Sequence, residues 1–393
     1  MELEAVQAGV LSILPPLLAI VLALITKEVI FSLALGIISG TVIYGAIAGG
    51  GIVGIFNNTV GAIISNVSDN ASMIIFLSLL GGLVALITRA GGARAYGIWA
   101  GQRLKSKRGA RLTTALLGLI IFIDDYFNCL TVGTVMKPVT DRYKISREKL
   151  AYLIDATAAP ICVIAPISSW SASAAGYFPA EAGITGLQAF LLAIPYNFYA
   201  LLTIFMVLWL AVREKGDFGP MASAEKRAAQ MDSLKDADIA VNDDIARLSV
   251  SEKGTVLDLL SPVIILVAVC ILSMVYYGGF WDGSGKSIID AFGDTDANMS
   301  LCMGSLITLV VTFFIFVPRK LVSFKDYFSS LTAGIKAMVP AIIILTLAWT
   351  IAAVCKNMLN TGDYIASLVR GSNMPVSFIP AILFIAACGI SYS

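Results

Sequence analysis

Eight apolar blocks, near residues 10–25, 29–48, 73–88, 150–168, 187–210, 259–277, 299–317 and 338–355, dominate the chain. Each is close to the roughly 20 residues a helix needs to cross a bilayer core of about 30 Å. A further apolar run begins at 376. In hydrocarbon every backbone N–H and C=O must be satisfied inside its own segment, so such blocks form helices. The pattern predicts an all-α polytopic membrane protein. Segment 52–68 is less apolar and is expected as an interfacial helix. Composition agrees, with 58% hydrophobic and 13% charged residues and a mean hydropathy of +0.86. The N-terminus, MELEAVQAG, lacks the basic start and small-residue cleavage site of a signal peptide, so the first block is read as a retained span. A net charge of +1 with no large basic patch gives no reason to expect nucleic acid as a partner.

Against this background the segment IFIDDYFNCLTVGTVM, residues 121–136, stands out because Asp124 and Asp125 lie in its middle. An ionised Asp at the centre of a bilayer costs about 2.5–3.5 kcal/mol even on the insertion scale. Such a residue faces protein or a water-filled cavity, and marks an ion or proton pathway by default. A pair that caps a helix or sits at the bilayer edge is the plainer alternative. The chain has no histidine, so a proton exchanged near neutral pH must ride on a carboxylate, tyrosine or lysine. The six cysteines (129, 162, 270, 302, 355 and 388) all lie in apolar blocks without a C-x-x-C, and are read as core residues.

Orientation follows from the basic residues. Loop 89–111 carries Arg89, Arg94, Arg103, Lys105, Lys107, Arg108 and Arg111 with no acid, and loop 137–149 carries Lys137, Arg142, Lys144, Arg147 and Lys149. Both are cytoplasmic by the positive-inside rule. The intervening segment 112–136 then cannot be a simple span and is expected as a re-entrant hairpin, whose tip must be buried or line a cavity. Continuing the count puts loop 49–72 and segment 278–298 outside, and 211–257 inside. That last stretch mixes both charge signs with alanine and is expected as a solvated cytoplasmic linker, with room for one amphipathic helix.

The segment from Asp155-Ala-Thr-Ala-Ala-Pro160 to Pro166-Ile-Ser-Ser-Trp170 places two prolines and several hydroxyls mid-block. Proline removes a donor and disfavours helix in the residue before it. The expectation is a broken helix whose freed carbonyls, with Asp155 and Thr157, suit a hard cation such as Na+. The competing reading is a proline kink satisfied by Ser168 or Thr157. Together, Asp124, Asp125, Asn128, Thr131, Asp155, Thr157, Ser168 and Ser169 are the candidate cation and proton ligands. Their burial without lipid-supplied partners predicts one shared polar cavity.

Residues 76–96 (FLSLLGGLVALITRAGGARAY) resemble 345–364 (LTLAWTIAAVCKNMLNTGDY), aligning Arg89 with Lys356. The charge-derived topology runs the two copies in opposite directions, the inverted repeat of a secondary transporter. This divides the chain into scaffold spans 1–72, a first repeat 73–210 with hairpin 112–136 and broken helix 150–168, the linker 211–257, scaffold spans 258–337, and the start of a second repeat at 338–393.

The blocks LPPLLAIVLALITKEV (14–29), GGLVALITRAGG (81–92), IDDYFNCLTVGTVMKPVTDRYKISREKLAYLIDATAAPICVIAPISSW (123–170) and LAWTIAAVCK (347–356) resemble the NhaC-type sodium/proton antiporters, within the wider ion-transporter superfamily. The resemblance implies exchange of Na+ for H+ and no cofactor beyond those ions. It further implies a homodimeric scaffold carrying a moving transport domain, in a bacterial or archaeal cytoplasmic membrane. Some relatives couple Na+ or H+ to a small organic acid or amino acid, and that alternative stays open. A membrane-embedded hydrolase using Asp124 and Asp125 is disfavoured, since neighbouring side chains on a helix do not face each other. A sensor without transport is a third class. GISYS at 389–393 matches the beginning of the family's second serine- and threonine-rich hairpin. The second repeat is therefore expected to be incomplete, with a truncation at the C-terminal end.

Overall fold

The computed structural model describes residues 4–104, 106–122, 125–166, 168, 170, 171, 174, 183, 184, 186–213, 217–230, 249–283 and 285–371, with isolated positions 378, 381 and 384. All regular structure among them is helical. Six helices are long and apolar enough to cross a membrane: Gly9–Thr26, Val29–Ala48, Ala71–Arg89, Leu257–Tyr277, Asn298–Phe316 and Phe324–Met358. The protein is therefore an all-α, multi-pass membrane protein. None of the five described cysteines forms a disulfide, and Cys388 lies outside the described residues.

Two compact units are present, residues 1–74 with 339–393 and residues 75–338. In the first, α1 (Leu14–Thr26) and α2 (Val29–Ala48) form a tight hairpin. Glycines make the close approach possible. A Cβ on Gly36 would lie 2.6 Å from Ile351 Cδ1, and one on Gly40 2.5 Å from Val354 Cγ1. The Val6 N–H closes this packing with a bond to Met358 O at 2.8 Å. The less apolar segment becomes α3 (Gly51–Asp69), a helix without one fully buried residue.

In the second unit, α4 (Ala71–Arg89) crosses the first half of a long helix over Phe324–Ala353. Their backbones touch: a Cβ on Gly334 would meet Gly81 O at 2.2 Å, and one on Gly82 would meet Leu331 Cδ2 at 2.8 Å. Further along α4, Arg89 Nη2 reaches Asp326 Oδ1 at 2.6 Å. Contact positions that rise along α4 and fall along its partner mean the two helices run antiparallel. The apolar block alone suggested a start at 338. The helix begins 14 residues earlier because Ser323 and Asp326 form a capping box, with the Asp326 N–H donating to Ser323 Oγ at 3.1 Å.

α5 (Gly92–Arg103) follows α4 after Gly91, which has a φ of 86°. Then come α6 (Lys107–Ile120), α7 (Asp125–Arg142) and α8 (Arg147–Cys162). The block expected as one span at 187–210 is instead two helices, α9 (Gly186–Ala193) and α10 (Phe198–Val212). They bend by 56°. Pro195 supplies no donor at the joint, and Asn197 caps the next helix by accepting from the Ala200 N–H at 3.1 Å. α11 (Gly219–Gln230) precedes the pair α12 (Leu257–Tyr277) and α14 (Ala297–Phe316), with the short α13 (Ile288–Gly293) between them. The long helix is α15; it ends in a π-turn at Val354–Met358 and leads to α16 (Thr361–Gly371).

Candidate cation site

The site begins with α6, whose buried residues Ala110, Arg111, Thr114, Ala115 and Gly118 form one stripe. Ser106 caps it, accepting from the Gly109 N–H at 3.0 Å. α7 returns beside α6, so the two make a helical hairpin with both outer ends together. Lys107 Nζ donates to Lys144 O at 2.9 Å, and Tyr143 OH donates to Leu104 O. A through-span would separate these ends by the length of α6, about 20 Å.

At the other end, Asn128 is fully buried, and its Nδ2 donates to Gly118 O at 2.6 Å and to Ile121 O at 2.7 Å. These are carbonyls that the end of α6 leaves without a helical donor. Because the amide nitrogen must face two carbonyls, Oδ1 must face away from them. Among the described residues that Oδ1 has no partner, and neither does Thr131 Oγ1 one turn further along α7. Thr131 is itself 4% exposed. Two buried oxygens three residues apart share one face of the helix and lack a donor. Each is costly to leave so, by about 1–3 kcal/mol.

Asp125, the first residue of α7, accepts from Trp170 Nε1 at 3.3 Å. This joins the hairpin tip to the segment beyond α8. The helix ends at Cys162, two residues after Pro160. Ser168 Oγ donates to the freed Cys162 O at 2.6 Å and is 3.1 Å from Ala165 O. Ser171 locks the arrangement: its N–H donates to Ser168 Oγ at 3.0 Å and its own Oγ donates to Pro166 O at 2.8 Å. Ser168 spends its proton on the carbonyl that a cation was expected to use, and with the Ser171 N–H on its oxygen one lone pair remains open.

Thr157 is buried where α8 meets α6, and a Cβ on Gly118 would lie 2.1 Å from its Oγ1. That hydroxyl donates to Leu153 O at 2.8 Å. Asp155 is exposed. Two positions along a helix turn by about 200°, so Asp155 and Thr157 project from nearly opposite sides of α8. Asn128 and Thr157 thus both meet Gly118, Asp125 meets Trp170, and Ser168 closes the end of α8, while Asp155 faces elsewhere. Asp124 and Ser169 lie outside the described residues. Among the described residues no three His, Cys, Asp or Glu residues group together as a metal site.

Sequence reasoning missed Ser171 and the bond from Trp170. The S-x-x-S spacing of 168 and 171 was a readable signal, of the kind that caps helices. It also missed how the hairpin is held at its outer end. Residues 217–230 are not a solvated linker but dock there. Glu225 pairs with Lys107 at 2.7 Å and accepts from the Ser146 N–H at 2.8 Å. Asp217 binds the fully buried Lys149 and lies 3.9 Å from Arg111, which is 2% exposed. Arg227 reaches Glu148 at 3.0 Å. Burial pushes the Glu225 carboxyl up, but the Lys107 and Ser146 bonds with the Lys107 charge outweigh it and hold the group below its ordinary value.

Residues 178–393 match the model of a family described as the Na+/H+ antiporter family. That match lies C-terminal to the hairpin and to α8. An uncharacterized protein of Haemophilus influenzae is 37% identical over 408 aligned positions, spanning all of this chain and 76% of its own length. No solved structure matches the sequence.

Proposed function

The chain belongs to the Na+/H+ antiporter family, a family of transporters and not of enzymes, and from that premise we propose that the α6–α7 hairpin and the break after α8 form its exchange site. The carrying observation is a pair of buried oxygens, Asn128 Oδ1 and Thr131 Oγ1, that have no hydrogen-bond partner among the described residues. A dehydrated Na+ is the simplest partner for two orphaned acceptors, because hard cations take oxygen ligands and lipid offers none. Asp125, at the tip and tied to Trp170, supplies the charge that balances the cation. When the cation leaves, the same carboxylate is the group assigned to carry the proton. One carboxylate that holds either Na+ or H+ is sufficient for exchange. Thr157 and the open lone pair of Ser168 complete the shell. Asp155 is left out of this inner set because it projects from the far side of α8.

The reading extends to an NhaC-type exchanger, a homodimer in a bacterial or archaeal cytoplasmic membrane, using no cofactor beyond the transported ions. Inverted repeats are part of it. α4 ends at Arg89 and is followed, after a left-handed residue, by the short α5. α15 ends past Lys356 and is followed, after Asn360 at a φ of 52°, by the short α16. Helix, left-handed break and short helix recur, and α4 and α15 cross antiparallel, which supports two copies of opposite direction.

Proteoliposomes holding a pH gradient test the proposal. Added NaCl should collapse the gradient and choline chloride should not, and Asp125→Asn should lose the response while still inserting. A wild-type protein indifferent to Na+ would sink the exchange reading. Full activity in Asp125→Asn would sink the site.

A further inference from the structure

We propose that a cavity between α5 and α7 binds the phosphate of an anionic phospholipid. The cavity measures about 490 Å³ and is lined by Arg94, Arg142, Thr88 and Thr134, with apolar walls that include Ile98 and Pro138. The cations around it divide into two kinds. Arg89 is committed to Asp326 at 2.6 Å, and Arg147 to Asp141 at 3.0 Å. Arg142, by contrast, has no ion-pair partner among the described residues. Arg94 meets only Glu252, at 3.6 Å, and that acid is 86% exposed. So loose a contact is worth little and is readily exchanged for a stronger anion.

Two arginines lining one cavity match the several oxygens of a phosphate. The position selects the source of that phosphate. Thr88 is the next-to-last residue of the span Ala71–Arg89, so the cavity lies where the polypeptide leaves hydrocarbon. The surrounding basic loops put this level at the cytoplasmic surface, where anionic headgroups gather and basic pockets between helices hold them. The apolar walls suit the glycerol and first methylenes of a lipid, which inorganic phosphate lacks. The inference does not depend on the exchange site.

Thermal unfolding of the purified full-length protein in neutral detergent tests it, with phosphatidylglycerol, phosphatidylcholine or inorganic phosphate added. Phosphatidylglycerol should raise the midpoint and phosphatidylcholine should not. Arg142→Gln should weaken the phosphatidylglycerol response at least about tenfold in concentration, and Arg94→Gln with Arg142→Gln should remove it. Because Arg142 has no ion pair among the described residues, its replacement should leave the lipid-free midpoint in place. If the double variant fails to fold, Arg142→Lys keeps the charge without the fork and should bind less tightly than wild type. Equal stabilisation by both lipids would overturn the proposal. So would a phosphatidylglycerol response that survives in the double variant, or wild-type affinity in Arg142→Lys. An equal response to inorganic phosphate at the same phosphorus concentration would reassign the arginines to a soluble anion and overturn the lipid source.

Discussion

The two ends of the α6–α7 hairpin solve the same problem in opposite ways. At its outer end charges are joined in pairs: Lys149 has Asp217, Lys107 has Glu225, and Arg147 has Asp141, although Arg111 Nε and Arg147 Nε have no hydrogen-bond partner among the described residues. At its tip the buried atoms without such a partner are neutral oxygens, Asn128 Oδ1 and Thr131 Oγ1. An unpaired buried group costs about 1–3 kcal/mol at either end, so the difference lies in charge: ion pairs at the outer end, neutral oxygens at the tip. On the function proposed above, the outer end holds the hairpin through its ion pairs and the tip offers its open oxygens to the cation.

The largest test of this contrast is at the paired end. Asp217→Asn removes the only carboxylate that the fully buried Lys149 contacts in an ion pair, and takes the near neighbour of Arg111 with it. Stripping one partner from a buried pair costs roughly 3–5 kcal/mol. The unfolding midpoint should fall steeply and α11 should become sensitive to protease. A variant as stable as wild type, with α11 still protected, would show that the outer end is not held by charge.

That holding helix was also the least legible part of the sequence. AEKRAAQ reads as a solvated surface because its own composition is polar and mixed in sign. Its partners, Lys107, Ser146, Lys149 and Glu148, lie some 70 to 120 residues away in sequence, and no local pattern announces such pairs. The spans were legible because hydrocarbon demands a fixed apolar length wherever a helix crosses it. Charge gave the expectation of a hairpin at 112–136, and α6 and α7 do pack side by side with their outer ends together. At the tip, residue type pointed to Asn128 and Thr131, but only the folded protein shows which of their atoms stay unpaired. Asp155 shows the converse. Its sequence neighbourhood was right, and the helical phase turned it to the other side of α8.

A smaller effect is expected where the hairpin leans on α8. In Gly118→Ala the new methyl would lie 2.1 Å from Thr157 Oγ1 and 2.9 Å from Thr157 Cβ. A β-branched residue such as Thr157 has no room to swing clear, so overpacking should cost about 1–3 kcal/mol. Adding Thr157→Ala should recover part of that loss, and the coupling is readable as a double-mutant cycle on unfolding midpoints. Strict additivity would mean that the tip and α8 are not packed together, and would detach Thr157 from the site.

The tip itself should respond in binding and not in stability. Thr131→Val keeps the shape and removes an oxygen that has no protein partner. Stability should hold or rise by up to about 1 kcal/mol. Half-maximal Na+ for exchange should rise at least about tenfold, or about 1.4 kcal/mol. A valine variant that is less stable yet exchanges normally would give this oxygen the same structural task as the outer end, and the contrast would fail.

The smallest effect separates the two ends by pH. Glu225 has a folded-state pKa held below its unfolded value of 4.5. Its contribution is therefore fully present above the unfolded value, and is lost as pH falls through the lower, folded one. Between pH 5 and 8 the outer end should not change. Glu225→Gln can still accept from the Ser146 N–H and gives up only a pair with Lys107, whose side chain is 35% exposed. About 1 kcal/mol is expected, well below the Asp217 loss. The midpoint difference between wild type and Glu225→Gln should be constant down to about pH 5 and vanish in stronger acid. Exchange, set at the tip and not by Glu225, should show the same pH profile in both proteins. If Glu225→Gln shifted the pH profile of exchange, the outer end would be titrating with the site, and holding and binding would no longer be separate.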